Sequence, residues 1–284
     1  MRNPDHATGS QNRKKEVDGQ SCGRESHSAD RKSSSSCCAL AAPDAGSKAQ
    51  KAVSFPTLSV IVPAYNEETT IACVLDRVRA VPVVSQIVVV DDCSSDMTPI
   101  IVDEFAAGMP NDLVQVVRHE TNRGKGASIV TGLRHATGDV VVVQDADLEY
   151  EPEQFADLLA VIACGRASVV YGSRFRGTVA GMRLPNLIAN KILTLLANVL
   201  FNARITDEAT CYKMFRRKVL EEFTLRSRRF DFCPEVTAKV RKRGYKIYEV
   251  PIRYHGRTQA EGKKIGWKDG VEAIWALIKY RFVD

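Results

Sequence analysis

Asp145, Asp147 and Glu149 stand at alternate positions in the stretch DADLE (145–149), directly after four consecutive valines, Val140 to Val143. A run of valines forms a strand buried on both faces. Packing gives no reason for three carboxylates at its end, because like charges that close disfavour one another's ionisation. Asp145 and Asp147, two apart in an extended segment, can converge on one hard cation with oxygen ligands. Mg²⁺ or Mn²⁺ suits such a pair, with a phosphate completing the shell, and Glu149 is a third candidate ligand. A lone DxD arises often by chance, so its weight depends on what surrounds it. ETNRGKGAS (120–128) sets Gly124 and Gly126 at the start of a helix, beside Arg123 and Lys125. Free backbone N–H groups and two cations at that position can face a phosphate. The loop does not match GxxxxGK[ST], which excludes a Walker A site.

The elements that must position these residues alternate along the chain. LSVIV (58–62), QIVVV (86–90), LVQVV (113–117), DVVVV (139–143) and SVVYG (168–172) read as strands. Between them, helices are expected from Asn66 with Ile71, Val74, Leu75 and Val78 inward, from Asp96 to Ala107, from Lys125 to Ala136, and from Pro152 to Cys164. Such alternation predicts an α/β fold, a mostly parallel twisted sheet flanked by helices. Ligands bind such sheets outside the carboxyl ends of the strands. PAYNE (63–67), DDCSSD (91–96) and DADLE all fall at such ends, and three polar clusters on one rim describe a site.

The net charge of +6 is unevenly spread: residues 53–203 carry 11 basic and 17 acidic side chains, whereas residues 204–284 carry 20 and 11. An acidic part joined to a basic part suits a cation in the first and an anion in the second. Residues 1–52 are polar and of low complexity, and are expected to be a disordered tail ahead of one domain over 53–284. The eight cysteines show no metal-type spacing; Cys73, Cys164 and Cys211 are expected as small core residues in a reducing compartment. No secretory leader and no run of 18 apolar residues is seen, so the expectation is a cytoplasmic chain that does not span a bilayer. PNLIANKILTLLANVLF (185–201) and VEAIWALIKYRF (271–282), the latter with Trp275 and Tyr280 as anchors, are candidates for peripheral contact with a membrane.

In order and spacing, SVIVPAYNEE, IVVVDDCSSD, NRGKGAS, GDVVVVQDADLEYEP, YGSRF, TDEATCYKMFR and VPIRYHGRTQAEGKKIGWKDG resemble the family 2 glycosyltransferases of the GT-A fold. The likeness covers about residues 58–280 and is strongest to the branch that holds dolichyl-phosphate mannose synthase and other polyprenyl-phosphate sugar transferases. The resemblance implies a Rossmann-like domain, with residues 53–172 binding a nucleotide sugar and 173–284 binding the acceptor. It implies that Pro63, Ala64, Tyr65, Glu67, Asp92, Lys125, Asp145 and Ala146 hold the nucleotide sugar, and that Asp145, Asp147 and Glu149 hold a divalent metal, Mg²⁺ or Mn²⁺. The mannose synthases carry Gln at the position of Glu149 and a looser loop in place of NRGKGAS. Ser173 and Arg174 would help form the acceptor site, Asp207 would lie near the sugar, and Arg257 with Lys263 and Lys264 would close over phosphates. The catalytic set so implied is Asp147, Asp207 and Arg257.

Sugar transfer leaves the departing diphosphate more negative, which a divalent ion stabilises. A hydroxyl acceptor needs a general base; a phosphate monoester is already anionic and needs cations to hold it. The basic C-terminal part therefore favours a lipid-linked phosphate acceptor, with inversion at the sugar as the family implies. A glycan or glycolipid hydroxyl is the alternative acceptor, and a non-catalytic sugar-nucleotide-binding protein the alternative class. FRRKVLEEFTLRSRRF (215–230) and KVRKRGYK (239–246) are basic but carry no RNA-binding aromatic motif or helix-turn-helix, so no nucleic-acid partner is expected.

Overall fold

The computed structural model describes residues 55–110, 112–257 and 267–284. The expected tail over 1–52, and Lys263 and Lys264, lie outside the described residues. Seven strands form one sheet in the order β3-β2-β1-β4-β6-β5-β7. They are β1 (Leu58–Ala64), β2 (Val84–Asp91), β3 (Val114–Arg118), β4 (Val140–Val143), β5 (Val169–Ala180), β6 (Lys213–Arg216) and β7 (Ile247–His255). β1 runs parallel to β2 and β4, β2 to β3 and β5 to β7. β6 is antiparallel to both β4 and β5 and joins the two parallel blocks. Helices α1 (Ile71–Arg79), α2 (Thr98–Ala107), α3 (Lys125–His135), α4 (Phe155–Ala163), α5 (Leu184–Phe201), α6 (Arg217–Glu221), α7 (Phe232–Lys242) and α8 (Trp267–Phe282) complete the domain.

The valine runs lie where their composition demands. Val140 to Val143 are at most 2% exposed, and each such side chain contributes about 1.5–3 kcal/mol relative to exposure. The proposed division at 172/173 falls inside β5, and one sheet runs through both halves. β5 is also longer than the five residues read as a strand, because its second part pairs with β7 after a register shift between Ser173 and Thr178. Gly177, within that shift, packs against the backbone of Ile252.

The first helix begins at Ile71, not at Asn66. Asn66 has φ 51°, its N–H donates to Ser94 Oγ and its Oδ1 accepts from Ser95 N. Glu67 N–H donates to Thr98 Oγ1, and Glu68 Oε2 accepts from Met97 N. The loops after β1 and β2 therefore fasten each other, and these hydrogen bonds replace the first turn of the expected helix. Of the three cysteines expected in the core, only Cys211 is buried; Cys73 is half-buried and Cys164 exposed.

A candidate donor site at the carboxyl ends of the strands

The loops that leave β1, β2 and β4 meet in one pocket of about 510 Å³. Pro63, Ala64, Tyr65, Glu67, Asp92, Lys125, Asp145 and Ala146, named above from the resemblance, all line it, as do Asp147, Glu149 and Arg257. The parallel pairing of β1 with β2 and β4 causes this convergence, because it ends those strands on one rim. Thr70 Oγ1 reaches the Ala146 carbonyl at 2.8 Å and ties the start of α1 to the DADLE segment.

Two cations sit among the carboxylates. Lys125 Nζ lies 2.5 Å from Asp145 Oδ1. Arg257 Nη2 lies 2.8 Å from Asp147 Oδ2, and its Nη1 lies 3.3 Å from Glu67 Oε2. Burial, then repulsion from Asp145 and Glu149, pushes the Asp147 carboxyl up to about 7 against the pull of Arg257 and Lys125. Asp145 nearby drives the Lys125 ammonium strongly upward despite its burial.

The three candidate metal ligands are not equivalent. Glu149 accepts from Tyr254 Oη at 2.7 Å and from the Arg257 main-chain N–H at 2.8 Å, so it anchors the end of β7. Among the described residues no three Asp, Glu, His or Cys groups converge on one point as a metal site. Asp145 and Asp147 still present the hard oxygen donors a divalent cation takes. Burial raises Asp147 first and the carboxylates of Asp145 and Glu149 add to it, against Arg257 and Lys125.

The glycine loop departs from the expectation of a phosphate cradle. The N–H groups of Arg123 and Gly124 donate to Asp92 at 2.9 and 2.7 Å. Those of Gly126 and Ala127 donate to the carbonyls of Arg229 and Arg228. The start of α3 is thus satisfied by protein. Gly124 has φ 92°, and a Cβ there would meet the Arg228 carbonyl oxygen at 2.4 Å. The glycines let the 227–229 segment close on α3. Asp92 also accepts from His119 Nδ1 at 2.6 Å, so this pocket-lining residue supports the loop in addition to any contact with a nucleoside.

Arg174 and Asp207 pair with each other inside the fold. Asp207 is 0% exposed and Arg174 5%. The guanidinium meets both carboxylate oxygens at 2.7 and 2.8 Å, and the Arg174 main-chain N–H adds a third bond. Ser173 Oγ pairs with Thr206 Oγ1 inside the fold. None of the three lines the pocket. Two opposite charges are cheaper to bury paired than apart, and in this arrangement Asp207 is the counter-ion of Arg174.

Arg229 and Phe230 line the pocket and were not singled out as donor-site residues in the sequence. They belong to the basic stretch 215–230. The only signal for them was an aromatic after two arginines directly ahead of a helix, and what places them is the long-range contact with α3.

Glu208, next to Asp207, gives a pH prediction. It is 0% exposed, and burial raises its carboxyl to about 7 although Lys213 and Thr237 pull it down. Lys213 Nζ bonds to the Glu208 main-chain carbonyl instead. A carboxyl raised in the folded state favours folding below its unfolded value, and that contribution is lost as pH rises through about 7. Glu208→Gln should flatten the fall in stability between roughly pH 4.5 and 7, so that the variant loses less stability than the parent from pH 5 to pH 8. Urea unfolding at pH 5, 7 and 8 measures this; parallel profiles for the two proteins would contradict it.

The comparisons with known proteins agree with this architecture. Residues 59–224 match glycosyl transferase family 2. The chain belongs to this enzyme family and shares its sugar-nucleotide transferase class. It is 32% identical over 216 residues to the polyprenol monophosphomannose synthase of Mycolicibacterium smegmatis, covering 73% of this chain and 80% of that one. It is 30% identical to the undecaprenyl-phosphate mannosyltransferase of Micrococcus luteus, over 72% of this chain and 86% of that one. A low-salt glycan biosynthesis hexosyltransferase of Haloferax volcanii is 30% identical over 81% of this chain; the chain spans about half (54%) of its length. Among solved structures, glucosyl-3-phosphoglycerate synthase from Mycobacterium tuberculosis, in complex with Mn²⁺, uridine diphosphate and phosphoglyceric acid, superposes with a TM-score of 0.62 at 22% identity. That match covers 81% of this chain and 80% of the other, and it identifies the fold as GT-A.

Proposed function

We propose that the chain moves a sugar, with inversion, from a UDP- or GDP-sugar to a polyprenyl phosphate. The observation that carries this reading is that each carboxylate lining the pocket already has a partner. Glu67 and Asp147 hold Arg257, Asp145 holds Lys125, Glu149 holds Tyr254, and Asp92 holds the 123–124 backbone. A phosphate acceptor needs no general base, and cations poised over carboxylates can turn to phosphate oxygens. The relatives named for polyprenol and undecaprenyl phosphates support the same acceptor class.

Asp145 and Asp147 would hold a divalent metal, Mg²⁺ or Mn²⁺. When bound, that metal supplies positive charge to the leaving diphosphate. Arg257 would give up Asp147 and contact phosphate oxygens. An acceptor phosphate oxygen forms a bond to the anomeric carbon as the carbon–oxygen bond to the nucleoside diphosphate breaks, and the nucleoside diphosphate leaves as an anion. The pocket floor of Pro63, Ala64 and Tyr65 would take the nucleoside, with Asp92 fixing the loop beside it.

One observation favours a second reading. Asp147, pushed up to about 7, has the proton affinity of a general base for a hydroxyl acceptor. Offering labelled UDP- and GDP-sugars with polyprenyl phosphate, a free sugar and a lipid alcohol in detergent separates the two. Transfer to polyprenyl phosphate alone is expected; transfer only to a hydroxyl would replace the proposal with the second reading.

A lipid acceptor needs a route to the pocket, and two helices offer a surface for it. α5 is the one helix among the described residues with the length and mean hydropathy (1.4) to cross a membrane, and 22% of it is buried. Asn190, Lys191 and Asn198 interrupt its apolar run, as expected from the sequence, without lowering its average below that of a spanning helix. Leu193, Thr194, Ala197 and Phe201 face the core. Leu184, Ile188, Ile192, Leu195 and Val199 form an outward stripe, and Val271, Trp275, Ile278 and Phe282 form another on α8, which packs against α5. Tyr280, expected as an anchor, is buried instead. We read the stripes as peripheral membrane contact, with Arg183, Lys191, Lys279 and Arg281 beside them to meet anionic headgroups. Leu195→Glu with Val199→Glu should cut binding to phosphatidylglycerol vesicles by about tenfold or more, two buried leucine-sized contacts being worth at least 1.4 kcal/mol. Turnover of a short-chain, water-soluble acceptor should be unchanged. Equal vesicle sedimentation of variant and parent would refute the assignment.

A further inference from the structure

Beside the donor pocket lies a second depression, of about 450 Å³, between α3 and the segment 225–228. Its size falls within the roughly 300–1,000 Å³ of small-ligand pockets. Arg123, Arg134, Arg226 and Arg228 line it, and no acidic residue does. Several arginines elsewhere on the surface do have carboxylate partners: Arg77 with Glu153, Arg118 with Asp103, Arg253 with Glu151. Among the described residues none of the four guanidinium groups around this depression has a salt bridge.

The nearby acids are committed to main chain. Asp92 takes the N–H of Arg123 at 2.9 Å, Glu235 that of Arg226 at 2.9 Å, and Asp231 that of Arg228 at 2.9 Å. Glu235 is 0% exposed and is itself held by Lys239 at 2.7 Å. The backbone carrying three of the arginines is therefore fixed, while among the described residues no carboxylate pairs with their charged ends around this concavity. Four like charges so placed repel one another, and an anion relieves that repulsion. A guanidinium offers paired N–H donors matched to phosphate oxygens.

We propose that this depression binds a multiply charged phosphate anion, at a site separate from the donor pocket. Asn122 and Arg123 form the wall between the two. The ligand is a compact run of phosphates, either free in solution or carried on a lipid headgroup.

The test uses the full chain, with its donor pocket filled by whichever of UDP or GDP it takes, and tripolyphosphate as the probe in calorimetric titration. One equivalent of tripolyphosphate should bind in the presence of the nucleotide. The double variant Arg134→Ala, Arg226→Ala, whose residues line only the second depression, should bind it about tenfold more weakly or worse, the loss of at least one charge-assisted contact. The double variant's affinity for the nucleotide should be unchanged, which also shows that it folds. If neither nucleotide binds, the donor assignment fails, and the comparison of parent with double variant still decides this proposal. Vesicles of phosphatidylcholine with and without phosphatidylinositol bisphosphate identify the source. Arginine-dependent capture by the bisphosphate vesicles assigns a headgroup, and tripolyphosphate binding without it assigns a soluble anion. No binding beside the nucleotide, equal binding by parent and double variant, or binding of a single-stranded oligoribonucleotide alone would each overturn the proposal.

Discussion

Asp147→Asn is expected to lower kcat/KM for sugar transfer by about 10³-fold or more, roughly 4 kcal/mol of transition-state stabilisation. The variant keeps the shape of the side chain and removes its charge. Asp147 follows the buried β4 with Asp145 and Glu149 close by, and burial together with these carboxylates raises it against Arg257 and Lys125. Losing the carboxylate should therefore cost catalysis and little stability, since Arg257 retains Glu67 as a partner. Initial rates over a series of Mg²⁺ and Mn²⁺ concentrations, with a thermal melt of each protein, measure both parts. The metal requirement should weaken along with the rate. Unchanged turnover in a folded variant would remove Asp147 from the reaction.

Arg257→Ala should cost about 10²–10³-fold in kcat/KM, on the order of 2–4 kcal/mol, as for other donors aimed at developing charge. In the structure this side chain bridges Glu67 and Asp147 across the pocket, and its main-chain N–H holds Glu149. The proposed role is that this guanidinium exchanges its carboxylates for phosphate oxygens. Arg257→Lys keeps the charge and loses the fork that can contact two oxygens at once. Its rate should fall between those of the parent and the alanine variant. If lysine matched arginine, point charge alone would be sufficient. If alanine matched arginine, the residue would be a lid over the carboxylates and nothing more. The described residues end at Arg257 before resuming at Trp267, so Lys263 and Lys264 remain proposals, to be tested by the same kinetic comparison.

The sequence by itself determined the valine-rich strands β1, β2 and β4, because such a run leaves no soluble alternative to burial on both faces, whereas β6 and β7, which carry no such run, were placed only by the tertiary structure. It also determined the carboxylate rim. Asp145 and Asp147 follow a strand that must be internal, and Glu67 and Asp92 follow two more, so their convergence needed only parallel pairing. What it left open is where each charge points. Asp207 and Asp147 look alike in the chain; one is locked to Arg174 inside the fold and the other faces the pocket. Gly124 and Gly126 look like a phosphate loop, and the close approach of residues 227–229, a hundred positions later, is what uses them. Glu149 reads as a ligand in the sequence, and the tertiary structure adds Tyr254 from β7 and the Arg257 main-chain N–H just beyond it as its partners. Arg229 and Phe230 enter the pocket only because Arg228 and Arg229 cap α3 through their carbonyls. Local pattern fixes which residues are buried and which sit at strand ends, because hydrophobicity and chain geometry act over a few positions. The partner of a charge or a hydrogen bond is set by whichever distant segment packs beside it, and that is decided by the tertiary structure alone.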